Sequence, residues 1–360
     1  MEVRTNEKGR GVYANKEYQP WDIVYVERRI FAISSICNQD YIATAQRTKN
    51  SHQTGSFLNR MLSFIASAPD SKVKSQHAHL KFPLLYLREG GKLESMSHLA
   101  RVPSLGVTDK QIRNVAKNFK VSRDDLKSIA QIVQANGFSI PGLFFTEIGM
   151  ALFDKGSMFN HSCDPNAFTF ITYDKLIVFA RKSIAAGEEV TISYKPLCVP
   201  DIDQLLGFEC KCGNCKGRDS TILKEVYNHF IEVQTIQERI DYLIDRAKEV
   251  PSAEFIQLLI ESYYEIWAIG KTYREKDLYK VLQKFKFRAP DSTWIEAHLL
   301  ALILASRLNF VDHIPKIHEN IKTFLSNPDI IEHIIVTTTL IPHLYHNVLI
   351  DVLGKLNLLP

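Results

Sequence analysis

Three short strings hold most of the side chains that could do chemistry. Asn160-His161-Ser162-Cys163-Asp164-Pro165-Asn166 sets a carboxamide, an imidazole, a hydroxyl and a thiol in consecutive positions. Gly187-Glu188-Glu189-Val190-Thr191-Ile192-Ser193-Tyr194 is an alternating strand pattern that finishes on a tyrosine. Cys210, Cys212 and Cys215 lie within six residues and make up half of the chain's six cysteines. A disulfide scaffold would distribute its cysteines. Clustering this tight, in a long chain whose N-terminus has no apolar signal segment, suits metal binding in a reducing compartment, with free thiols or a disulfide as the rival reading. A closed structural zinc site takes four ligands, and the cluster supplies three. Cys37 and Cys198 have no partner at ligand spacing and read as buried or incidental thiols.

The elements that must position these strings divide the chain. At 360 residues it is long enough for two or three domains, and 45% hydrophobic with 23% charged residues is ordinary globular composition. That excludes collagenous, low-complexity and disordered classes. The overall charge is only +4, but residues 1–220 carry +7 and residues 221–360 carry −3, which places a boundary near Ser220. Ile23–Val26 and Ile30–Ile33 read as strands, preceded by a glycine-punctuated turn at Lys8-Gly9-Arg10-Gly11-Val12. Residues 38–135 read as helical, with helices at Asn59–Ala68, Ile112–Phe119 and Leu126–Ala135, the last two preceded by start signals at Thr108-Asp109 and Ser122. Strands resume as a hairpin, Phe168–Thr172 with Leu176–Ala180, and then Glu189–Tyr194. Beyond Ser220, apolar residues recur at helical spacing from Ile222 to Ala247, Phe255–Ile269, Leu278–Phe287, Trp294–Leu308 and Ile314–Leu325. No fixed-period repeat is evident. The 18 residues between Glu332 and Asp351 lack Asp, Glu, Lys and Arg, but they contain three histidines, Asn347 and Pro342. They read as two buried helices broken at Pro342, not as a membrane span.

In order and separation, the three strings resemble a SET-domain protein lysine methyltransferase with a post-SET zinc motif, most closely the SET-and-MYND (SMYD) subfamily. The resemblance implies an α+β chain: a β-rich SET fold with a knot-like crossing and a helical insertion, a post-SET zinc site, and an all-α TPR-like C-terminal domain. Its parts would be the SET N-terminal part (1–37), the insertion (38–135), the SET catalytic part (136–200), the post-SET zinc motif (201–220) and the helical domain (221–360). It further implies that Tyr194 is catalytic at the mouth of a lysine channel. Asn160 and His161 would contact S-adenosylmethionine, and Lys8, Gly9 and Arg10 would approach it through their backbone, where glycine permits close contact. Asn136 matches a second cofactor-binding asparagine, although a helix C-cap would also explain it. Phe208 matches an aromatic packed on the adenine, with a zinc-module core as the rival reading. Cys163 would join Cys210, Cys212 and Cys215 as the fourth Zn2+ ligand.

One departure stands out. The subfamily carries a cysteine-rich MYND finger after its first strands, yet here no cysteine falls between Cys37 and Cys163. The expected activity is S-adenosylmethionine-dependent methylation of a histone or non-histone lysine, by a monomer located in the cytoplasm, the nucleus or both. The competing expectation is a degenerate SET protein acting as a helical-repeat adaptor. Direct nucleic-acid binding has only the mild basic charge of residues 1–220 in its favour and no recognition motif. The basic residues of the insertion (Arg101, Lys110, Arg113, Lys117, Lys120, Arg123, Lys127) read as a solvated helix face.

Overall fold

The computed structural model of the chain describes residues 1–6, 9–34, 78–102, 105, 107–143, 147–194, 210, 212, 228–229, 232, 235–249, 253–284, 291–338 and 343–359. Lys8, Phe208 and Cys215, with the expected helix at 59–68 and the apolar positions Ile222, Leu223, Val226, Tyr227 and Phe230, lie outside them.

The chain opens with β1 (Glu2–Asn6) and β2 (Gly9–Tyr13), paired antiparallel from Glu2↔Tyr13 to Asn6↔Gly9. Gly9 to Val12 therefore lie in a strand, not in the turn expected from their glycines. β1 is Glu-Val-Arg-Thr-Asn, with Val3 its one apolar residue, so no apolar run marks the strand in the sequence. Next come β3 (Ile23–Arg28) and β4 (Phe31–Ser34), matching the apolar runs.

The insertion contributes α1 (Ala78–Arg88), α2 (Asp109–Phe119) and α3 (Arg123–Asn136). The start signals work as read. Thr108 and Gln111 form a reciprocal capping box on α2, and the Ser122 hydroxyl accepts from the Asp125 backbone N–H at the start of α3. On α3, Leu126, Ile129, Ala130, Ile132 and Val133 form the buried stripe.

β5 (Phe138–Pro141) and β6 (Glu147–Leu152) join β4 in a sheet of order β4-β6-β5. Ile33 on β4 and Leu152 on β6 share a cluster with Phe82, Tyr86, Ile129, Ile132 and Val133 of the insertion. After them come the two-residue β7 (Asn160–His161), β8 (Ala167–Ile171), β9 (Lys175–Ala180) and β10 (Glu189–Ile192). The remaining sheets have the orders β1-β2-β10-β7 and β3-β9-β8.

The C-terminal part is helical: α4 (Ile236–Glu249), α5 (Ala253–Ala268), α6 (Glu275–Lys284), α7 (Ser292–Arg307), α8 (Ile314–Leu325), α9 (Pro328–Thr338) and α10 (His343–Lys355). α7 is buried almost all round, from Thr293 to Ala305, because α5, α6, α8, α10 and β8 all pack on it. Among the described residues no helix is long and apolar enough to cross a membrane.

The β3-β9-β8 sheet ties the two parts together. Strand side chains alternate between faces. Leu176, Val178 and Ala180 face the core of the strand region, while Ile177 and Phe179 belong to the core of the helical region. On β8, Ala167 and Ile171 take the first face, and Phe168 and Phe170 the second. A strand buried on both faces reads as an unbroken apolar run, and Leu-Ile-Val-Phe-Ala is one.

Trp21 reinforces this seam. It follows Pro20 in a turn closed by the Asp22 N–H on the Gln19 carbonyl, with φ at +78°. A non-glycine residue there costs on the order of 1–3 kcal/mol. The ring sets against the cost its packing on Trp294 of α7, 4.8 Å between centroids, and its edge contact with Phe168 at 5.8 Å. Lys175 on β9 also pairs with Asp329 on α9 at 2.7 Å.

A buried histidine completes the seam. His333 on α9 is 2% exposed, its Nε2 donates to the Pro141 carbonyl at 2.9 Å, and its Nδ1 is buried with no partner. Protonating Nδ1 would bury an unpaired charge, and burial pushes the pKa down to about 4. The unfolded chain, with an ordinary histidine value near 6.5, then binds this proton first. The contribution is fully present above about pH 6.5 and is lost as pH falls toward 4, by about 3 kcal/mol. Urea unfolding across that window should show this loss in the wild type and not in His333→Gln, which keeps an N–H donor without titrating. Parallel profiles for the two proteins would contradict this account.

Candidate functional site

The Asn160–Asn166 string crosses β10, and each of its members has a partner. β7 pairs parallel to β10 on two rungs, Thr191↔Asn160 and Ile192↔His161. The Ser162 N–H then donates to the Ile192 carbonyl, and the Ser162 hydroxyl accepts from the Asp164 N–H. Asp164 pairs with Arg181 and Lys182. Burial raises its pKa, but the hydrogen bonds from Lys182 and Arg181 outweigh this and hold the carboxyl below the usual range. The Arg181 guanidinium also donates to the Pro165 carbonyl. Asn166 closes the crossing: its Oδ1 accepts from the Thr191 N–H at 2.8 Å, while its Nδ2 donates to the Glu189 carbonyl and the Glu188 carboxylate. A side-chain amide thus binds the edge of β10 as a further strand would.

Tyr194 stands two residues beyond the last rung of β10. Its hydroxyl donates to the Phe159 carbonyl, and its backbone N–H donates to His161 Nδ1 at 3.1 Å. The residue is 43% exposed, but the hydroxyl end is turned inward. Burial, with a smaller contribution from the Glu189 carboxylate, pushes the phenol up to about 12. It is therefore protonated at neutral pH, its hydrogen is held by Phe159, and its oxygen lone pairs are the groups it can offer to a substrate N–H.

Asn160 spends its amide hydrogens inside the protein, on the Arg10 carbonyl at 2.8 Å and the Glu189 carboxylate at 2.7 Å. Its Oδ1 remains as an acceptor suited to an ammonium group. These bonds draw β2 to β7, and Gly11 makes the approach possible. A Cβ there would stand 2.4 Å from Glu189 Oε1 and 3.0 Å from Asn160 Nδ2. The structure thus brings together Arg10, Asn160, His161 and Tyr194, with Gly9 opening the same strand. Arg10 also reaches the insertion, donating to the His98 carbonyl at 2.7 Å. Asn136 is the last residue of α3 and is buried, and its Nδ2 donates to the Ile132 and Ala100 carbonyls. Its amide hydrogens are held at the helix end, where Gly137 and not Asn136 is the C-cap residue.

Cys163 is buried below this crossing, and its Sγ lies 3.9 Å from Cys210 Sγ. Its N–H donates to Cys212 Sγ at 3.3 Å. Thiolates at about 2.3 Å from a tetrahedral zinc ion stand about 3.8 Å apart, so the cysteine pair fits such a centre. His161 Nε2 is 3.4 Å from Cys163 Sγ, and His161, Cys163 and Cys210 could hold a metal together.

Sequence reasoning missed Glu27. From β3, its carboxylate accepts from three successive backbone N–H groups, Asp154 at 2.8 Å, Lys155 at 3.2 Å and Gly156 at 2.7 Å, and from the Tyr25 hydroxyl. It fixes the turn that delivers Phe159 and Asn160. Gly156 permits the fit, since a Cβ would fall 2.4 Å from Leu176 Cδ2. No local pattern marks Glu27, because the backbone N–H groups it binds lie 127 to 129 residues away.

A family model described as "SET domain" matches residues 9–195. The chain is 33% identical over 110 residues to "Histone-lysine N-methyltransferase SMYD3" of Mus musculus, covering 29% of this chain and 26% of that protein. It is 29% identical over 150 residues to the Homo sapiens protein of that name, covering 39% and 35%. It is 33% identical over 104 residues to "N-lysine methyltransferase SMYD2" of Homo sapiens, covering 27% and 24%. The matches thus span between a quarter and about a third of these relatives' length. A solved structure titled "Crystal structure of the SET domain of LSMT bound to MeLysine and AdoHcy" aligns over 99% of this chain and 86% of that chain at 12% identity, with a TM-score of 0.30, too loose to align site residues.

The Glu27 turn can be tested without any assay of activity. Glu27→Ala leaves three N–H donors to find water and should lower the unfolding free energy by about 2–3 kcal/mol. Glu27→Gln should recover no more than half of that loss, because its NH2 would face the same donors. Urea denaturation reads both. A change below about 0.5 kcal/mol in each would show that the carboxylate carries no such share.

Proposed function

The chain belongs to the SET-domain family, and on that premise we propose that it is a protein-lysine N-methyltransferase that uses S-adenosylmethionine and holds a structural zinc ion. The observation that carries this reading is the pairing of Tyr194 with Phe159 and His161, which fixes a protonated phenol beside Asn160. A degenerate adaptor would have no need of that arrangement.

When bound, S-adenosylmethionine supplies a sulfonium methyl group that an amine lone pair can displace. Arg10 and Gly9 of β2 and His161 of β7, together with Lys8, would hold it through their backbone. Asn160 would accept from its ammonium group through Oδ1, Phe208 would pack on its adenine, and Asn136 would border it. A lysine ε-amine is protonated in water, with a pKa near 10.4, and must lose that proton before it can attack. Tyr194 suits the orienting role and not that of a base, because its oxygen accepts the amine's N–H while its own hydrogen stays on Phe159. The lysine's proton leaves to solvent. Alignment of the nitrogen lone pair supplies much of the rate.

Zinc, held by Cys163, Cys210, Cys212 and Cys215, would pin the post-SET segment to the crossing without reacting. The substrate is a histone or non-histone protein. The TPR-like C-terminal helices would wall its cleft, and the enzyme would act as a monomer in the cytoplasm, the nucleus or both.

Transfer of labelled methyl from S-adenosylmethionine to protein lysines tests this reading. Tyr194→Phe should lower kcat by about 100-fold or more while cofactor binding changes little. Cofactor-independent partner binding with no turnover in the wild type would favour the adaptor.

A further inference from the structure

We infer that His161 stands outside the metal's coordination shell and joins that centre to Tyr194. Its Nε2–H donates to the Cys163 sulfur while its Nδ1 accepts the Tyr194 backbone N–H. This rests on the zinc and Tyr194 assignments above and deepens them by naming the residue through which one site positions the other.

The tautomer follows from the donors. A backbone N–H can only donate, so the 3.1 Å contact from Tyr194 N requires a bare Nδ1. A neutral imidazole then carries its hydrogen on Nε2. That nitrogen lies 3.4 Å from Cys163 Sγ, a length suited to N–H donation to sulfur. Proximity alone would make His161 a candidate ligand, since it shares a cluster with Cys163 and Cys210. A metal bond, however, needs the lone pair at Nε2, which moves the hydrogen to Nδ1 and sets it against the Tyr194 N–H. The four cysteines proposed above as ligands would complete a closed site without it. The imidazole is thus a bridge whose two ends have opposite hydrogen-bonding roles.

The consequence falls on Tyr194. β10 ends at Ile192, so the tyrosine backbone lies past the last ladder rung, and its N–H is held by the imidazole. His161 is in turn fixed by its own rung opposite Ile192. Partners of this kind orient metal ligands, and their loss commonly changes metal affinity by about 10- to 100-fold.

Three readouts test the bridge on the intact chain. With 113Cd in place of zinc, the metal resonance should fall in the range of four sulfur ligands. Long-range 1H–15N spectra of histidine-labelled protein should show His161 with Nε2 protonated and Nδ1 bare. His161→Asn, which keeps an acceptor for the Tyr194 N–H but loses the donor to sulfur, should retain one metal per chain. It should release that metal to a chelator about tenfold faster. A cadmium resonance typical of three sulfurs and one nitrogen, an Nδ1–H tautomer, or unchanged release from a folded His161→Asn protein would each overturn the bridge. The first two need no variant. A wild type that binds no metal at all would instead bring down the zinc assignment, and the bridge with it, a failure visible at the metal count.

Discussion

Two rungs of parallel pairing between β7 and β10 hold the candidate site together. They set Asn160 beside Thr191 and His161 beside Ile192, residues some thirty positions apart in sequence. A parallel pair this short has little strength of its own. It persists because the chain on either side is held. Asn166 binds the edge of β10, and Glu27 grips the turn before Phe159. On the far side, Asn160 reaches the Arg10 carbonyl of β2. Remove this pairing and Tyr194 loses both of its anchors, while Cys163 no longer meets Cys210. The proposed cofactor end, the proposed catalytic tyrosine and the proposed metal centre all rest on this one crossing.

The crossing needs a stiff support, and the β3-β9-β8 sheet supplies one. β9 is buried on both faces, so the strand region and the helical region share a wall. Each large side chain buried there contributes on the order of 2–3 kcal/mol. Against that scale the left-handed backbone at Trp21 and the orphaned nitrogen of His333 are tolerable. Both lie where the two regions meet, and both fix how the helices sit on the sheet.

Much of this was legible in the sequence because it is local. The caps at Thr108 and Ser122 and the Tyr173-Asp174-Lys175 hairpin follow from neighbours a few residues apart. The unbroken apolar run of β9 announced a strand, though not that its two faces serve two cores. What stayed hidden depends on distant partners. β1 has Val3 as its one apolar residue, so nothing in residues 2–6 marks a strand, and the glycines of its partner β2 read as a turn. Glu27 looks like any strand-edge carboxylate until the fold brings the 154–156 turn to it. Asn136 depends on distant partners too: the fold shows, as the sequence does not, that its amide hydrogens bind the carbonyls of Ile132 and of Ala100. The Asn160–Asn166 string was recognisable as a unit, but the reason for each member appears only in the crossing.

The central claim is that this crossing builds a cofactor site around the free Oδ1 of Asn160. Calorimetric titration of the zinc-loaded protein with S-adenosylmethionine tests it most directly, with Asn160→Ala alongside. The account predicts one equivalent bound by the wild type and at least about tenfold weaker binding by the variant, the loss of a charge-assisted hydrogen bond. No binding by a folded, metal-loaded wild type, or equal affinity in the two proteins, would contradict it.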